Sequence, residues 1–216
     1  MRLLVTAGGT REPIDSVRVI ANTSTGRLGA RIADEAVAAG HEVLLLHATQ
    51  AALPSRPCRR VSFETHADLG RLLEQHAPQA DAIVQAAAVA DYVPVASTGK
   101  LPSDLPELVL RLRRAPKLID GLRALCPKAW LVGFKLTSGV DQDEQVAAAQ
   151  ALLVRARLDL VVVNDSARTD EIDHEALVVD ASGIVARCRG KAALAQQLVA
   201  RLPAAHKAAA SGRTPA

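Results

Sequence analysis

The chain has 216 residues, of which 49% are hydrophobic and 23% charged, so it is long and apolar enough to bury the core of one domain. Its three cysteines form no C-x-x-C pair, which disfavours a disulfide framework or a zinc site and indicates a reducing, cytoplasmic location. A net charge of +3 without stacking aromatics argues against nucleic-acid binding, and no apolar run is long enough to span a membrane.

Short apolar runs alternate with helical patterns along the chain. Strands are predicted at 2–7, 42–47, 59–63, 81–88, 129–134 and 158–164, and helices at 26–40, 67–77, 116–125 and 142–156. Continuous apolar runs are typical of strands that are buried on both faces of a parallel sheet. The alternation predicts an α/β fold: a doubly wound, mainly parallel, Rossmann-like sheet with helices on both faces, binding ligands at the carboxyl ends of its strands.

Two segments break this alternation. Residues 106–116 alternate leucines with valine and arginine, which predicts a strand with one apolar face. Residues 175–191 predict a hairpin that turns near Ser182-Gly183 and is followed by a helix to Leu202. We therefore expect one domain over 1–202 and a disordered, small-residue tail over 203–216.

The first candidate site is the long loop "GGTREPIDSVRVIANTSTG", residues 8–26, which stands where a dinucleotide-binding unit has a tight turn. Gly8 and Gly9 follow the first strand and would let a ligand approach the backbone. Gly26 and Gly29 open the next helix, where free N–H groups and the helix dipole favour a phosphate. The alternative is a helix whose glycines serve packing alone.

Polar residues of the same loop extend this interpretation. Ser24 and Thr25 could donate their hydroxyls to a phosphate or simply cap the helix. Arg11, Arg18 and Asn22 predict binding of an anionic substrate, with salt bridges within the loop as the alternative.

The second candidate site is "QAAAVADYVPVASTGK", residues 85–100, which leaves a strand and ends in a polar loop. Ala87 and Ala88 would let a flat ligand come close. Asp91 could bind ribose hydroxyls or Mg²⁺, or cap a turn. Lys100 could neutralise a phosphate or remain a solvated lysine.

Two further strand ends carry candidate groups. Phe134 could stack on a base or fill the core, and Lys135 beside it is another candidate cation. Asn164 and Asp165 could hydrogen-bond a ligand or form an Asx turn.

Residue types for nucleophilic catalysis or a metal centre are not arranged recognisably. The sequence contains no readable Ser/His/Asp or Cys/His arrangement, and its histidines lack metal-ligand spacing. His66 and His76 are predicted at solvated helix positions. Anion binding is therefore the chemistry that the residues favour.

Six segments, in this order, resemble a known family: "TAGGTREPIDSVRVIANTSTGRLG", "AAAVADY", "GKLPS", "APKLID", "VGFKL" and "LDLVVVNDS". They resemble phosphopantothenate–cysteine ligase, also called phosphopantothenoylcysteine synthetase, over about residues 2–202. In many bacteria this ligase is fused behind a flavin-dependent decarboxylase. The "GKLPS" and "VGFKL" segments look like the stand-alone bacterial type, so we expect no flavin and a separate phosphopantothenoylcysteine decarboxylase as a candidate partner.

The resemblance implies a ligase of coenzyme A biosynthesis that joins 4′-phosphopantothenate to L-cysteine. CTP, or less often ATP, would activate the carboxylate with Mg²⁺ as an acyl-nucleotide, with pyrophosphate released. The cysteine amine would then displace the monophosphate. The family is dimeric, and the resemblance implies that 106–116 is a small β appendage that reaches the second subunit.

Site residues follow from the resemblance by motif position. Asn22 matches the asparagine that handles the acyl-nucleotide, Arg18 is expected at the substrate, and Asn22 and Lys100 are the expected catalytic residues. The expected nucleotide-binding residues are Gly8, Gly9, Ser24, Gly26, Ala87, Ala88, Asp91, Lys100 and Phe134, with Asp91 a candidate Mg²⁺ ligand.

Two alternatives remain beside the ligase. A nicotinamide-dependent reductase would use the same kind of sheet, but G-x-G-x-x-G is missing, and Tyr92 and Lys100 do not have the Tyr-x₃-Lys spacing of a reductase pair. A nucleotide-binding paralogue without catalysis is opposed by the presence of Asn22, Asp91 and Lys100. "GKLPS" departs from the family by lacking the later lysines of fused bacterial enzymes.

Overall fold

The computed structural model describes residues 1–95, 97, 99–104, 106–167 and 175–203. Its strands are β1 (Arg2–Ala7), β2 (Arg11–Pro13), β3 (Val19–Ala21), β4 (Glu42–Ala48), β5 (Arg59–Phe63), β6 (Ala82–Gln85), β7 (Tyr92–Pro94), β8 (Leu112–Arg114), β9 (Trp130–Thr137), β10 (Leu160–Asp165), β11 (Glu175–Asp180) and β12 (Gly183–Arg189). Its helices are α1 (Arg27–Ala38), α2 (His66–His76), α3 (Leu118–Leu125), α4 (Gln142–Ala156) and α5 (Lys191–Ala200), with a 3₁₀ helix (Ala77–Gln79) after α2.

The predicted doubly wound sheet is confirmed. Eight strands lie in the order β12-β11-β10-β9-β6-β1-β4-β5, with β10 to β5 parallel and β11 and β12 antiparallel. The chain builds outward from β1 through β4 and β5, then returns to the other side of β1 with β6. The carboxyl ends of β1 and β6 therefore flank the switch point, which is where such sheets bind ligands.

Aliphatic clusters cover both faces of the sheet. Leu3 and Val5 pack with α1 and α5 on one face, whereas Leu4 and Leu131 pack with α2, α3 and α4 on the other. Burial on both faces explains the continuous apolar runs of the strands.

Local signals set several helix ends. Asp141 and Glu144 form a reciprocal capping box at the start of α4, and Thr65 and Asp68 form another at the start of α2. Gly40, at φ 80°, follows the C-cap of α1 in the left-handed conformation that favours glycine. The predicted positions of these helices are confirmed within one or two residues.

The predicted strand 106–116 is wrong over most of its length. Only Leu112–Arg114 forms a strand, β8, which pairs with β7 outside the main sheet. Leu108, Leu110 and Leu112, which form the predicted apolar face, are 43, 36 and 46% exposed. A strand face is buried only where other residues cover it, and the described residues leave these leucines exposed. We call β7, β8 and residues 106–111 the arm.

Other boundaries differ less. The predicted strand 81–88 ends at Gln85, and beyond it a single isolated bridge joins Ala88 to Gly9. His76, predicted to be solvated, is 8% exposed because α2 ends against the sheet. Residues 204–216, most of the predicted tail, lie outside the described residues. Across the described part of the chain, every helix is too short or too polar to cross a membrane.

Candidate functional site

Close-packed glycines build the floor of the switch point. Gly8, at φ 89°, follows β1, and a Cβ there would lie 2.6 Å from that of Ala48. Gly26, at φ 74°, precedes α1, and a Cβ there would lie 2.6 Å from that of Ala51. Both positions therefore require glycine for backbone conformation and for space. The long loop thus brings a helix N-terminus back to the end of β1, as a short glycine turn does in a dinucleotide-binding unit.

The N-terminus of α1 is left open by its own sequence. Gly26 is the N-cap residue, and no side chain makes a capping hydrogen bond there. The alternative that Ser24 or Thr25 caps this helix is therefore wrong. The helix therefore begins without a side-chain cap, and a helix N-terminus of this kind is an arrangement that binds phosphate.

Asn22 joins three of the predicted segments. Its side-chain amide donates to the Ala88 carbonyl oxygen at 2.8 Å, and its backbone N–H donates to the Thr10 carbonyl oxygen at 3.2 Å. A Cβ on Gly9 would lie 2.4 Å from the Asn22 carbonyl oxygen. The Ala88 N–H in turn donates to the Gly8 carbonyl at 2.8 Å. The structure therefore brings Gly8, Gly9, Asn22 and Ala88 together, as predicted.

Both loop arginines have partners within the protein. Arg18 pairs with Asp15 at 2.9 Å. Arg11 donates to Gln50 at 2.8 Å and lies 3.6 Å from the carboxylate of Glu64. The salt-bridge alternative holds for both side chains, and their first role is to shape the loop.

The Lys100 segment closes onto the same loop. Lys100 is exposed. The N–H of its neighbour Leu101 donates to Asp15 at 3.0 Å, and the N–H of Ser97 donates to the Ile14 carbonyl at 2.9 Å. The two loops that carry Arg18 and Lys100 are therefore in contact.

Asp91 lies beyond the end of β6 and forms an ion pair with Lys117. Its backbone carbonyl accepts from the Ala115 N–H at 2.9 Å, which fixes β7 beside β8. Lys117 was not singled out from the sequence, because an ion pair between residues 26 apart leaves no local pattern. The turn-capping alternative for Asp91 is not what the structure shows.

Phe134 lies on β9, the neighbour of β6, and is half-buried. It packs on the α1 face of the sheet with Leu28 and Ala86 in one apolar cluster. Phe134 therefore fills part of the core, which was the alternative to stacking on a base. Part of its surface remains exposed near the carboxyl edge of the sheet. Lys135 is exposed.

Asp165 anchors a turn. Its carboxylate accepts from the N–H groups of Gly139 and Ala167 at 2.9 Å, and from the Thr137 hydroxyl at 2.8 Å. The Gly139 N–H lowers the pKa of Asp165 to about 2; burial opposes this, and the N–H groups of Ala167 and Val140 and the Thr137 hydroxyl reinforce it. The Asx-turn alternative is therefore correct for Asp165.

A buried polar contact missed from the sequence supports the long loop. Glu12, 5% exposed, accepts from the backbone N–H of His66 at 2.8 Å. The His66 ring Nε2 lies 2.8 Å from the Pro116 carbonyl, so Nε2 carries the proton in this contact. His66 is 7% exposed, and the prediction of a solvated position was wrong. Through its backbone N–H and its ring, His66 links the loop to the segment that bears Lys117.

A cavity of about 220 Å³ lies elsewhere, between α4 and the β11–β12 hairpin. Its two arginines are engaged, Arg187 with Gln142 and Arg189 with Glu175, both at 2.6 Å. Asp165 is among the residues that line it, but the expected nucleotide and substrate residues are not. The switch point is therefore the better candidate site.

Comparison with known proteins identifies the family. A family model described as the DNA/pantothenate metabolism flavoprotein C-terminal domain matches residues 1–205. The coenzyme A biosynthesis bifunctional protein CoaBC of Thermococcus kodakarensis is 39% identical over 181 residues, which cover 82% of this chain and 44% of that protein.

Solved structures share the fold over nearly the whole chain. The DNA/pantothenate metabolism flavoprotein from Streptococcus pneumoniae has a TM-score of 0.87 at 29% identity, covering 93% of this chain and 97% of that one. The C-terminal domain of coenzyme A biosynthesis bifunctional protein CoaBC has a TM-score of 0.75 at 27% identity, covering 92% of both chains. The chain therefore belongs to the family of the DNA/pantothenate metabolism flavoprotein C-terminal domain.

Proposed function

We propose that this chain is a phosphopantothenate–cysteine ligase of coenzyme A biosynthesis. Its Thermococcus relative is named as a coenzyme A biosynthesis protein, and the chain spans 44% of that protein's length. One observation carries the proposal: Asn22 bonds to Ala88 at the switch point, next to the uncapped start of α1, and the loop that bears Asn22 also contacts the segment that bears Lys100.

The nucleoside triphosphate is proposed to lie across the ends of β1 and β6. Its phosphates would contact the backbone at Gly8 and Gly26 and the first turn of α1, where the dipole contributes roughly half a positive charge. The partly exposed ring of Phe134 offers an apolar surface for the base. CTP is the proposed nucleotide, as in the bacterial enzymes that the sequence resembles.

The proposed reaction has two steps. A carboxylate oxygen of 4′-phosphopantothenate attacks the α-phosphorus of CTP, and the bond to pyrophosphate breaks. The Lys100 ammonium would stabilise the charge that moves onto pyrophosphate. The cysteine amine then attacks the acyl carbon, loses a proton and displaces CMP, while the Asn22 amide would orient the anhydride without transferring a proton.

Mg²⁺ is proposed to bind together with the triphosphate. Within the described residues, no group of three or more His, Cys, Asp or Glu side chains could hold a metal alone. Asp91 could supply one carboxylate oxygen by exchanging Lys117 for the ion, and the phosphates would supply others. When bound, the ion would offset negative charge on the phosphates.

The arm supports a proposed homodimer. Within the arm Val109 is 74% exposed, Tyr92 is 55% exposed and the three leucines are also exposed, and Val95, directly after β7, is 55% exposed. An exposed apolar edge of this kind favours pairing with a second strand, and a two-fold partner would close it. Light scattering should give a dimer, and replacing Leu108 and Leu110 with Ser should give monomers.

The activity is tested with 4′-phosphopantothenate, L-cysteine, Mg²⁺ and each triphosphate in turn. We expect CTP to give CMP, pyrophosphate and the amide product in equal amounts. Formation of CDP and phosphate would mean an acyl-phosphate mechanism. Binding of NADH or NADPH would favour the reductase, and nucleotide binding without amide formation would favour the inactive paralogue.

A further inference from the structure

Asp15 is a buried carboxylate with donors from two loops. Its side chain is fully buried. Oδ1 accepts from the N–H groups of Val17 and Arg18 at 2.8 and 2.7 Å. Oδ2 accepts from the Arg18 guanidinium at 2.9 Å and from the N–H of Leu101 at 3.0 Å. The first two bonds form a local turn, whereas the Leu101 bond crosses 86 residues of sequence.

Arg18 strengthens this connection. Its guanidinium also reaches the Leu101 carbonyl at 3.4 Å and the Ser103 hydroxyl at 3.3 Å. Arg18 therefore contacts Leu101 directly and through Asp15. We call Asp15, Arg18 and Leu101 the latch.

We propose that the latch positions Lys100 for the first step of the reaction, and that Asp15 is therefore a positioning residue of this enzyme. Leu101 directly follows Lys100, so fixing its N–H and C=O fixes the backbone from which the Lys100 side chain extends. The segment between β7 and β8 is long and contains Gly99, and its described residues are mostly exposed. Without the latch, Lys100 would spend less time at the triphosphate. This inference rests on the proposed function, because that function gives Lys100 its role.

The electrostatics of Asp15 agree with a permanently charged anchor. Burial opposes ionisation, but the N–H groups of Val17, Leu101 and Arg18 and the Arg18 charge outweigh it, so the pKa of Asp15 is lowered. The carboxylate therefore stays ionised near neutral pH and can accept all four bonds.

Asp15→Asn cuts the long-range bonds selectively. The amide oxygen can still accept from Val17 and Arg18 N–H, which preserves the turn. The amide nitrogen would face two donors, the Leu101 N–H and the Arg18 guanidinium, so both bonds to it are lost. Asp159→Asn is the matched control, because Asp159 also accepts from an arginine (Arg123) and a distant backbone N–H (Leu131), both at 2.7 Å, at the amino edge of the sheet.

Two measurements test the latch. In the apo protein, Asp15→Asn should speed hydrogen exchange of the Leu101 amide at least tenfold, whereas Asp159→Asn should not. In the ligase assay, Asp15→Asn should lower kcat by about 10- to 100-fold, with the KM values for CTP, 4′-phosphopantothenate and L-cysteine nearly unchanged. The Asp15→Asn, Lys100→Gln double variant should be no slower than Lys100→Gln alone, because Asp15 acts through Lys100.

The outcomes separate the two proposals. If the double variant is slower by the full Asp15→Asn factor, or if Leu101 exchange is unchanged, the latch inference is overturned and the ligase stands. If the wild type makes no amide while Leu101 exchange responds, the proposed function fails and the contact is confirmed. Should Asp15→Asn not fold, Ser103→Ala, at an exposed residue, should lower kcat two- to threefold, and only when Lys100 is present.

Discussion

Two aspartates each accept hydrogen bonds from an arginine and from a distant backbone N–H, one at the carboxyl edge of the sheet and one at its amino edge. The latch is the example at the carboxyl edge, and Asp159 with Arg123 and Leu131 is the example at the amino edge. The chemistry is the same, but the surroundings differ. The latch joins two loops that carry candidate ligand-binding groups, whereas the Asp159 cluster joins the turns before β9 and β10.

The amino-edge cluster is closed within the protein. Arg123 also donates to the carbonyls of Arg157, Pro127 and Ala129, at 2.9, 3.2 and 2.7 Å. These bonds satisfy the turn carbonyls, and the cluster stabilises the fold. The same polar motif can therefore serve different purposes at the two edges, since parallel strands present open loops and helix N-termini at the carboxyl edge.

The largest expected effect is that of Lys100→Gln at the carboxyl edge of the sheet, with a lysine at the amino edge as its control. Lys100→Gln removes the cation proposed to stabilise the leaving pyrophosphate, and should lower kcat about 100-fold or more. Lys128 is exposed in the turn between α3 and β9, and Lys128→Gln should keep wild-type kcat. Quenching with CTP and 4′-phosphopantothenate, followed by chromatography, should show little acyl-cytidylate for Lys100→Gln. Normal accumulation would remove Lys100 from the first step.

Asn22→Asp is expected to act on the second step. The new carboxylate would face the Ala88 carbonyl, an acceptor, so the bond between these segments is lost. Acyl-cytidylate should still form, but its conversion on adding cysteine should slow by about 10-fold or more, since the amide no longer orients the acyl group. Gln75→Glu, the same change of charge at an exposed position near the end of α2, should be silent. Failure of Asn22→Asp to form the intermediate would refute this division of roles.

Replacing the glycines at the two ends of α1 should give smaller effects, on stability at both ends and on nucleotide binding at one. Gly26 and Gly40 both have positive φ, so alanine at either position should destabilise the fold by about 1–2 kcal/mol. A Cβ at Gly40 meets open space, whereas at Gly26 it would lie 2.6 Å from Ala51. Gly26→Ala should therefore lose more stability than Gly40→Ala, and should also raise the KM for CTP about tenfold by moving the N-terminus of α1. Urea unfolding and steady-state kinetics measure both quantities, and equal KM values would remove this helix end from the site.

The central sheet could be predicted because its signals are local. A continuous apolar run such as "RLLVTA" has to be buried on both faces, and β1 occupies the predicted residues 2–7. The start of α4 is equally local, since Asp141 and Glu144 cap each other across three residues. The glycine pairs were identifiable for the same reason, as positive φ and close packing restrict those positions to glycine.

The remaining site contacts depend on residues far apart in sequence. Nothing near Asp15 marks it as the acceptor for Leu101, and nothing near Asp91 marks Lys117 as its partner. His66 stands in the first turn of α2, a position that is commonly solvated, and is buried because Glu12 and Pro116 cover it. The strand predicted over 106–116 was wrong for the opposite reason: its alternation is strong, but only Leu112–Arg114 pairs with another described strand.

The smallest expected effect belongs to Asp165, which lies at the carboxyl edge but directs its carboxylate into the protein. Its pKa falls from 3.8 to about 2 on folding, so its ionised form stabilises the native state above about pH 4, and this contribution is lost as the pH falls towards 2. In Asp165→Asn the amide nitrogen would face the Thr137 hydroxyl and the Val140 N–H, which weakens the turn at neutral pH. Urea unfolding should therefore show a less stable variant at pH 7, and a free energy of unfolding that declines less steeply than that of the wild type between about pH 4 and 2. The kcat at pH 7 should stay near that of the wild type, because the carboxylate is occupied by protein donors and not by a ligand. Two results would contradict this: a variant with wild-type acid sensitivity, or one that loses turnover without losing stability. Either would make Asp165 a candidate ligand-binding residue again and not a carboxylate that serves only the fold.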